Sequence, residues 1–594
     1  MDGIELKAGP LDLVYQDGFI RCIKLGDLEI IRMINHALRD QNWGTIPMKI
    51  REEKIEKGED RFLLTYTGRY DHGPVQFEVK CRIEGSPDGR VSFDYQGIAL
   101  GNFKRNRIGF TVLHPIRDYE GEKVTIVHPD GSSVERVFPK WISPHQPFLN
   151  IKEMHWTLGN GSVAGSLAFE GEVFETEDQR NWTDASYKTY CTPLGLPFPV
   201  DVRQGDRIIQ KVTLTLTQHA PVPEGKTAAR ISMQDEPVEL TKFGILLNEL
   251  PAAVSEKSVI HELAPDYLRV EFDLDHDFSA ALDMLRWAVK METPVELCLF
   301  TDRENPIKQL RELKEYFSTV RKLLLLGNRR ITTPVGLIDL EDEFRKVFPD
   351  ADLYAGTDAF FTELNRSSLD ISGLDGVTYS VNPQVHAFDD QSLVETLEAQ
   401  NHTVSTARHK YPGKKVNVSP VTFRTRWNPN ATEVNGKFRQ PTGNSDARQF
   451  EFFGACWFLI SFKYLSESRA AGATYFELTG ENGWLKFKNT QVVKSPACLL
   501  RQQIKDYTHI VPCSSSHPLV VDAVCLKKAG KAMLLLVNWT GRHQRVLLPD
   551  GYKSVKKAQR WEFSERDLQL VPVPKDAKED SLDLWPRSLT VLEQ

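Results

Sequence analysis

Four apolar runs between residues 350 and 490 are each followed directly by side chains that can do acid–base chemistry. The stretches are GTDAFFTELNR, SVNPQVHAFDD, SPVTFRTRWN and TYFELTGENGW. Three of their side chains, Glu363, His386 and Glu477, can exchange protons near neutral pH if their surroundings adjust their pKa values. We predict that these three are catalytic.

Neighbouring polar and aromatic side chains are predicted to bind the substrate, and they are Trp182, Asp358, Asn365, Asn382, Gln384 and Arg424. Arg424 suits a developing oxyanion or a product carboxylate, although a salt bridge within the fold would equally explain an arginine there. Glu363 could instead cap a helix, and His386 could be structural. Asp389 and Asp390 precede the helical stretch SLVETLEAQ, where either is a natural N-cap. Further residues near the same strand ends are Asn248, Glu249, Thr422, Arg426 and Trp484.

The chain shows no pattern typical of a metal or cofactor site. His386 and Asp389 could bind a metal only with a distant carboxylate, and no close spacing of His, Cys and Asp supports this. The sequence has no G-x-S-x-G, H-E-x-x-H or P-loop motif. GNGSVAG lies between two alternating runs, which indicates a hairpin turn and not a dinucleotide-binding loop. We therefore expect neither metal nor cofactor.

Composition excludes several functional classes. The 594 residues are 41% hydrophobic and 26% charged, with a net charge of −7, so no basic field would attract nucleic acid. No apolar run is long enough for a membrane helix, and the N-terminus lacks the features of a signal peptide. The eight cysteines are scattered, most of them in apolar runs, and are predicted to be reduced. We expect a cytoplasmic protein that binds a small molecule, and self-association into a homo-oligomer stays open.

Three domains are predicted from the hydrophobic periodicity. Short alternating runs separated by turn residues over 1–237 are typical of an antiparallel β-sandwich. Eight apolar strands alternate with amphipathic helices over 238–490, which is the rhythm of a (β/α)8 TIM-type barrel. Residues 491–594 form a small C-terminal β-domain. Since active residues of such barrels lie at the C-terminal strand ends, the four stretches above are expected to meet at one mouth.

One long polar segment of the predicted sandwich, FETEDQRNWTDASYKTYCTPLGLPFP over 174–199, has no strand period. Loops of this kind either pack against another domain or line a site. Trp182 lies at its centre, so we include it among the candidate binding residues.

Several of these stretches together resemble the D-apionate lactonase family of bacterial sugar catabolism. The resemblance is carried by QNWGTIP at 41–47, NRIGF at 106–110, LHP at 113–115, PHQPF at 144–148, EDQRNWTDASYKTYCTPL at 177–194, and the barrel stretches GTDAFFTELNR, NPQVHAFDD and TYFELTG. It covers the chain from its first residues through the barrel, and more weakly beyond. It implies hydrolysis of D-apionolactone to D-apionate, in apiose catabolism, and assigns no role to any particular acid.

Two other classes are compatible with the architecture. A glycoside hydrolase of the common barrel type carries its acid on the fourth strand and its nucleophile on the seventh, where KLLLLGN and VNVSPVTFRTRWN lack carboxylates. If the strand count were shifted by one, Glu363 and Glu477 would become that pair, and a retaining enzyme would hold them about 5 to 5.5 Å apart. A non-enzymatic carbohydrate-binding protein would instead need aromatic platforms and no converging acids.

Overall fold

The computed structural model describes residues 3–219, 228–250, 255–328, 331–426, 445–488, 491–555, 557–563, 567–574 and 580–594. These residues form two compact units. Residues 3–180 and 185–219 make up the first. The four residues Asn181–Asp184 and the described residues from 228 onward make up the second.

The first unit consists of eighteen described strands and one short helix, α1 (Ile116–Tyr119). The strands are β1 (Ile4–Ala8), β2 (Leu11–Gln16), β3 (Phe19–Leu25), β4 (Leu28–Asp40), β5 (Met48–Lys57), β6 (Phe62–His72), β7 (Val75–Gly85), β8 (Arg90–Ala99), β9 (Phe103–Pro115), β10 (Lys123–Val127), β11 (Ser133–Val137), β12 (Phe148–Ile151), β13 (Glu153–Leu158), β14 (Val163–Glu170), β15 (Phe174–Asp178), β16 (Ser186–Tyr190), β17 (Val200–Val202) and β18 (Arg207–His219).

These strands form two antiparallel sheets. The first has the order β1-β2-β3-β4-β9-β16-β15-β12, with β17 beside β9, and the second β11-β10-β13-β14-β18-β8-β7-β6-β5. Buried and exposed residues alternate strictly along β7, as expected for a strand with one face on a core. His36 of β4 lies in that core, where its ring contacts Tyr70 from the second sheet. The predicted β-sandwich is confirmed.

The second unit contains the remaining described strands, which are β19 (Ala229–Met233), β20 (Val238–Glu239), β21 (Lys242–Leu246), β22 (Tyr267–Asp273), β23 (Val295–Phe300), β24 (Val320–Leu326), β25 (Asp352–Gly356), β26 (Gly376–Val381), β27 (Lys415–Val421), β28 (Gly472–Thr479), β29 (Gly483–Lys488), β30 (Gln491–Lys494), β31 (His509–Val511), β32 (Cys513–Ser515), β33 (Val521–Lys528), β34 (Lys531–Asn538), β35 (Gln544–Leu547), β36 (Ala558–Phe563), β37 (Leu568–Val573), β38 (Ser581–Leu584) and β39 (Ser588–Glu593).

Its helices are α2 (Ser255–Leu263), α3 (Ser279–Lys290), α4 (Ile307–Glu312), α5 (Val335–Ile338), α6 (Glu341–Val347), α7 (Phe361–Arg366), α8 (Asp390–Glu395), α9 (Leu397–Lys410), α10 (Phe452–Glu467), α11 (Pro496–Ile504) and α12 (Asp550–Lys553). Short 3-10 helices lie at Gln179–Trp182, Lys314–Phe317 and Ala447–Phe450. Barrel strands β23 and β26 are buried at every position, because helices cover the outer face of the barrel.

A closed barrel forms the centre of the second unit. Strands β21 to β28 pair in parallel in chain order, and β21 pairs with β28 to close the ring. All eight strands coincide with the predicted ones, so the TIM-type barrel is confirmed. The closure brings every C-terminal strand end to one rim, which is what positions the candidate side chains.

Two further sheets complete this unit. One has the order β20-β31-β33-β34-β39-β36-β37 and the other β32-β19-β35-β38. They enclose a core that includes Val521, Leu534 and Leu592. The predicted C-terminal β-structure is thus present, and it also takes in β19 and β20 from the chain segment before the barrel. None of the eight cysteines, all of which lie in the described residues, forms a disulfide, and seven of them are buried.

Candidate active site

A buried ion network crosses the barrel below its mouth. Arg269 of β22 is fully buried, and its guanidinium donates to Glu271 at 2.9 Å, Asp358 at 3.0 Å and Ser419 at 2.8 Å. Arg426 donates to both carboxylate oxygens of Glu271, at 2.6 and 2.7 Å. Buried charges are tolerated only when paired in this way. Asp358, a predicted binding residue, is therefore engaged by Arg269 within the fold.

Glu477 lies on β28 beside this network and is half-buried. Burial, the largest cause, raises the pKa of its carboxyl above the usual range. The nearby Arg426 opposes this shift, while the negative charges of Glu271 and Glu249 reinforce it. A carboxyl with a raised pKa exchanges protons closer to neutral pH than an ordinary glutamate does. The environment of Glu477 thus suits acid–base work.

His386, between β26 and α8, forms a dyad with a carboxylate. Its Nδ1 lies 2.5 Å from Oδ2 of Asp184, a residue 202 positions earlier in the chain. The ring of Trp182 meets the imidazole edge-on at a centroid distance of 6.0 Å. A carboxylate at Nδ1 selects the tautomer of the ring, stabilises the imidazolium, and leaves proton exchange with a substrate to Nε2.

The same short segment, Asn181–Asp184, contacts the other strand-end residues. Asn365 is buried and donates from Nδ2 to Oδ1 of Asn181 at 2.9 Å. Trp182 also packs against Phe360, with ring centroids 5.1 Å apart. Glu363 lies in the first turn of α7, half-buried, on the same short helix as Asn365. The structure therefore places Trp182, Asn365 and His386 in one neighbourhood, with Glu363 on the adjoining helix.

The amide of Gln384 is used to hold the chain that follows β27. Its Nε2 donates to the carbonyl of Phe423 at 3.0 Å and to Asp446 at 2.7 Å. Burial works against ionisation of Asp446, but hydrogen bonds from Arg448 and Gln384 outweigh it and lower its pKa to about 2. The Nε2 atom of Gln384 is thus used in contacts within the protein. The role of Gln384 in substrate binding stays a prediction.

Arg424 and Asn382 lie close to this group. The Nε atom of Arg424 is 3.6 Å from Asp446, and the side chain as a whole is 33% exposed. Asn382 is buried and accepts a hydrogen bond from Thr425 at 3.1 Å. Of the two arginines after β27, Arg426 is bound by Glu271, whereas the side chain of Arg424 is partly exposed and its guanidinium lies 5.4 Å from the ring centroid of Phe388.

The aspartates after His386 have local roles. Asp389 is the N-cap of α8, and its side chain accepts from the backbone N–H of Ser392 at 3.0 Å. Asp390 pairs with Arg448 at 2.8 Å. The predicted capping role is confirmed for Asp389.

The remaining predicted rim residues are also accounted for by protein contacts. Asn248 donates to the carbonyl of Thr479 at 3.1 Å, and Glu249 accepts from its hydroxyl at 2.6 Å. Thr422 donates to the carbonyl of Arg424 at 2.7 Å. Trp484 is fully buried and packs in the barrel wall.

Two participants were missed from the sequence: Arg269 and Glu271. They alternate with apolar residues in YLRVEFD, and charges at every second position of an otherwise apolar strand are a signal of inward-facing polar groups. Asp184 lies in the polar segment 174–199 that was expected to pack or to line a site, but no local pattern singled it out as the partner of His386.

The part of the chain that the structure describes contains no group of three or more His, Cys, Asp and Glu side chains arranged to hold a metal ion. Within the described residues, no helix is long and apolar enough to cross a membrane.

The strand count decides where a common barrel glycosidase would carry its acids. The fourth strand, β24, ends at Leu326 and is followed by Gly327 and Asn328. The seventh, β27, ends at Val421 and is followed by Thr422. Neither end carries a carboxylate, and Glu363 and Glu477 follow or lie on the fifth and eighth strands. The strand count is therefore the predicted one, and Glu363 and Glu477 do not occupy the positions of the acids in the common barrel glycosidases.

The fold and the rim together define a TIM-barrel protein with an N-terminal β-sandwich and ionisable side chains at the barrel strand ends. The sequence profile of the D-apionate lactonase N-terminal domain matches residues 2–219, and that of the D-apionate lactonase TIM barrel domain matches residues 241–506. A D-apionate lactonase from Brucella anthropi is 31% identical over 476 residues, which are 75% of this chain and 77% of that protein. The chain belongs to the D-apionate lactonase family, and the prediction of a hydrolase acting on carboxylic esters is confirmed.

Solved structures share parts of the architecture at low similarity. A family 51 α-L-arabinofuranosidase from Bifidobacterium longum is 13% identical, covering 62% of this chain and 99% of that chain, with a TM-score of 0.44. A GH30 endoxylanase from Clostridium papyrosolvens is 11% identical, with the same coverage and a TM-score of 0.41. Similarity at this level supports no conclusion about activity.

Proposed function

We propose that this protein hydrolyses D-apionolactone to D-apionate, as a cytoplasmic step of apiose catabolism. Membership of the D-apionate lactonase family carries the proposal. The half-buried Glu477 and the His386–Asp184 dyad at the barrel strand ends supply the proton-transferring groups that lactone hydrolysis requires.

The reaction adds water to the lactone carbonyl and then breaks the ring C–O bond. A general base takes a proton from the attacking water, and the carbonyl oxygen becomes an oxyanion in the tetrahedral intermediate. When the intermediate collapses, a general acid gives a proton to the ring oxygen, which leaves as a hydroxyl group. The products are the hydroxy acid anion and one proton released to solvent.

We assign the base to Glu477 or Glu363 and the acid to the other carboxyl or to His386. The raised pKa of Glu477 makes it the better matched to neutral pH. Asp184 at Nδ1 orients the His386 ring and leaves Nε2 to act as a donor to the ring oxygen.

Arg424 is proposed to bind the oxyanion or the product carboxylate, because its side chain is partly exposed. Both terminal nitrogens of Arg426, by contrast, already donate to Glu271. Asn365, Asn382 and Gln384 are proposed to lie around the sugar hydroxyls, and Trp182 to cover one side of the ring. A furanose-ring lactone is flat at its carbonyl carbon, much as a glycosyl oxocarbenium ion is, so a pocket of the glycosidase type could select it by shape.

Proton release distinguishes this function from its alternatives. The purified full chain is expected to release acid from D-apionolactone in weakly buffered indicator solution, and to leave aryl glycosides intact. Turnover of aryl glycosides without hydrolysis of any aldonolactone would show a glycosidase instead. Binding of the sugar without turnover of either would show a carbohydrate-binding protein.

We further propose that the reaction needs no metal. Activity is expected to survive dialysis against EDTA, with a parallel sample given back Zn²⁺, Mg²⁺ or Mn²⁺ as the comparison. Loss of activity that one of these ions restores would contradict a metal-free mechanism, while leaving the lactonase activity itself intact.

A further inference from the structure

Strand β28 breaks the alternation of its side chains just before Glu477. The hydroxyl of Thr474 donates to the buried carboxylate of Glu296 at 3.2 Å. Glu296 lies on β23, which is not a neighbour of β28, so Thr474 points into the barrel. The hydroxyl of Tyr475 lies 2.8 Å from that of Ser461 on α10, outside the barrel. Strict alternation would therefore point Glu477 outward, as it does Tyr475.

Glu477 nevertheless faces the barrel interior. Burial, the largest cause, raises the pKa of its carboxyl, and the charges of Arg426 and Glu271 act on it as well. Those two residues are joined at 2.6 Å in the ion network that crosses the barrel. Glu477 thus lies on the same side of the strand as Thr474, three positions away. Two side chains an odd number of positions apart share one face only when the strand contains an extra residue.

Phe476 is that extra residue. In the register of β28 with β21, Tyr475 lies opposite Ile245, and Glu477 lies opposite the next residue of β21, Leu246. Phe476 therefore has no counterpart on β21, which makes this position a β-bulge. Its φ is +53°, in the left-handed region. A bulky residue adopts this conformation only where its surroundings enforce it, and such residues cluster at functional sites.

The surroundings that hold Phe476 in this conformation are aromatic. Its ring is fully buried, with centroid distances of 5.8 Å to Tyr475, 5.5 Å to Trp484 and 5.6 Å to Phe423. Tyr475 and Trp484 both contact Phe458 of α10, at 4.9 and 5.1 Å. The ring of Phe476 thus packs with that of Tyr475 in the layer between the barrel and α10, and the burial of this ring offsets the cost of the left-handed backbone.

We propose that Phe476 is a positioning residue: its left-handed backbone forms the bulge that turns the carboxyl of Glu477 into the barrel mouth, toward the substrate. Bulges next to active sites commonly re-aim a side chain in this way. The consequence for catalysis rests on the proposed function, in which Glu477 transfers a proton, whereas the direction of the side chain rests on the register of the barrel.

Two substitutions separate the backbone conformation of Phe476 from its packing. Glycine adopts a positive φ freely, so Phe476→Gly keeps the bulge and loses the ring. Isoleucine fills more of the space, but a β-branched residue is strongly disfavoured at this φ. Phe476→Ile is expected to lower kcat for the lactone about 10²-fold or more, since misplacing a reacting group by about 1 Å costs that much. Phe476→Gly is expected to stay within about tenfold of the natural chain.

The opposite order, with Phe476→Ile more active than Phe476→Gly, would show that only the packing matters and would overturn the proposal. Phe243→Ile is the matched control. It makes the same change on β21, in a residue whose ring lies 5.3 Å from that of Trp484 and whose φ is not left-handed. Its kcat is expected to be unchanged. All activities are compared below the melting temperature of every variant.

A double substitution tests whether Phe476 acts through Glu477. In a Glu477→Gln chain, adding Phe476→Ile is expected to lower kcat no further, because the group that the bulge positions is already gone. Effects that multiply would mean that Phe476 acts independently of Glu477, which contradicts the proposal. If Phe476→Ile does not fold, Phe476→Ala replaces it, since alanine and glycine lack the ring equally and differ only in the Cβ. The kcat of Phe476→Ala is then expected to be several-fold below that of Phe476→Gly.

Crystal structures of the variants without substrate test the bulge independently of turnover. The carboxyl of Glu477 is expected to stay beside Arg426 and Glu271 in Phe476→Gly, and to turn away from them in Phe476→Ile or Phe476→Ala. The same inward position of Glu477 in all these variants overturns the proposal, whatever reaction the protein catalyses. A natural chain that leaves the lactone intact refutes the proposed function alone.

Discussion

Glu477 and His386 show how surroundings give two ordinary side chains different chemistry. Burial and the negative charges of Glu271 and Glu249 raise the pKa of Glu477, which brings its proton exchange closer to neutral pH. His386 is instead bound through one ring nitrogen to Asp184. One group holds its proton more tightly than a free glutamate, and the other has one ring nitrogen fixed by a carboxylate. Each can be removed separately, so their roles can be tested one residue at a time.

Glu477→Gln is expected to lower kcat/KM for the lactone by about 10²- to 10⁴-fold, the usual contribution of a general acid or base. In the natural protein, the acidic limb of the pH profile should lie above that of an ordinary glutamate, because burial raises the pKa. Glu481→Gln is the matched control, since this nearby glutamate is 68% exposed and pairs only weakly with Lys486. Similar activity in both variants would remove Glu477 from the mechanism.

Asp184→Asn keeps the shape of the side chain but removes the negative charge beside His386. The amide no longer orients the ring as the carboxylate does, so kcat/KM for the lactone is expected to fall about 10²-fold or more. His386→Ala is expected to lower kcat/KM at least as far. An unchanged kcat/KM in Asp184→Asn would show that the dyad is structural.

At the scale of elements, the barrel places polar groups where strands end and helices begin. The loop after β26 carries His386 and ends at Asp389, which caps α8 through the backbone and hydroxyl of Ser392. The cap fixes where the helix starts, and hence the length of loop that holds the histidine. The hydrogen bond from Gln384 to Asp446 joins this loop to the chain segment that precedes α10.

Asp389→Ala is expected to lower the free energy of unfolding by about 1 kcal/mol, the usual cost of losing an N-cap. Urea denaturation followed by circular dichroism measures this loss. Asp390→Ala is the comparison, because it removes a neighbouring carboxylate that is 57% exposed and only paired with Arg448. Such pairs contribute about 0 to 1 kcal/mol. A larger loss from Asp390→Ala would contradict the capping role of Asp389.

At the scale of the whole molecule, acid should destabilise the sandwich through two buried histidines. Burial lowers the pKa of His36 and of His114 to about 3. An unfolded chain takes up these protons as the pH falls through about 6.5, whereas the folded chain does not until about 3. The unfolded state thus binds more protons in this window, and stability is lost as the pH falls.

The free energy of unfolding of the first unit is expected to fall by about 1.4 kcal/mol per pH unit for each histidine below about pH 6. Urea titrations at several pH values between 7 and 4.5 measure this slope. His114→Gln removes one of the two histidines, so the slope should decrease by about 1.4 kcal/mol per pH unit. An identical slope in the natural and variant chains would show that His114 does not contribute.

The sequence by itself determined the elements and the positions of the candidate residues along them. The alternation along strands such as β7 and the spacing of β21 to β28 are local patterns, so the sandwich and all eight barrel strands could be predicted. The rule that strand ends meet at one mouth then selected Glu363, His386 and Glu477. Only the tertiary structure decided which partners these residues have. Asp184 reaches His386 across 202 positions, and Arg269 pairs with Asp358 across 89. Such pairs depend on how the chain closes in space, which no local periodicity records.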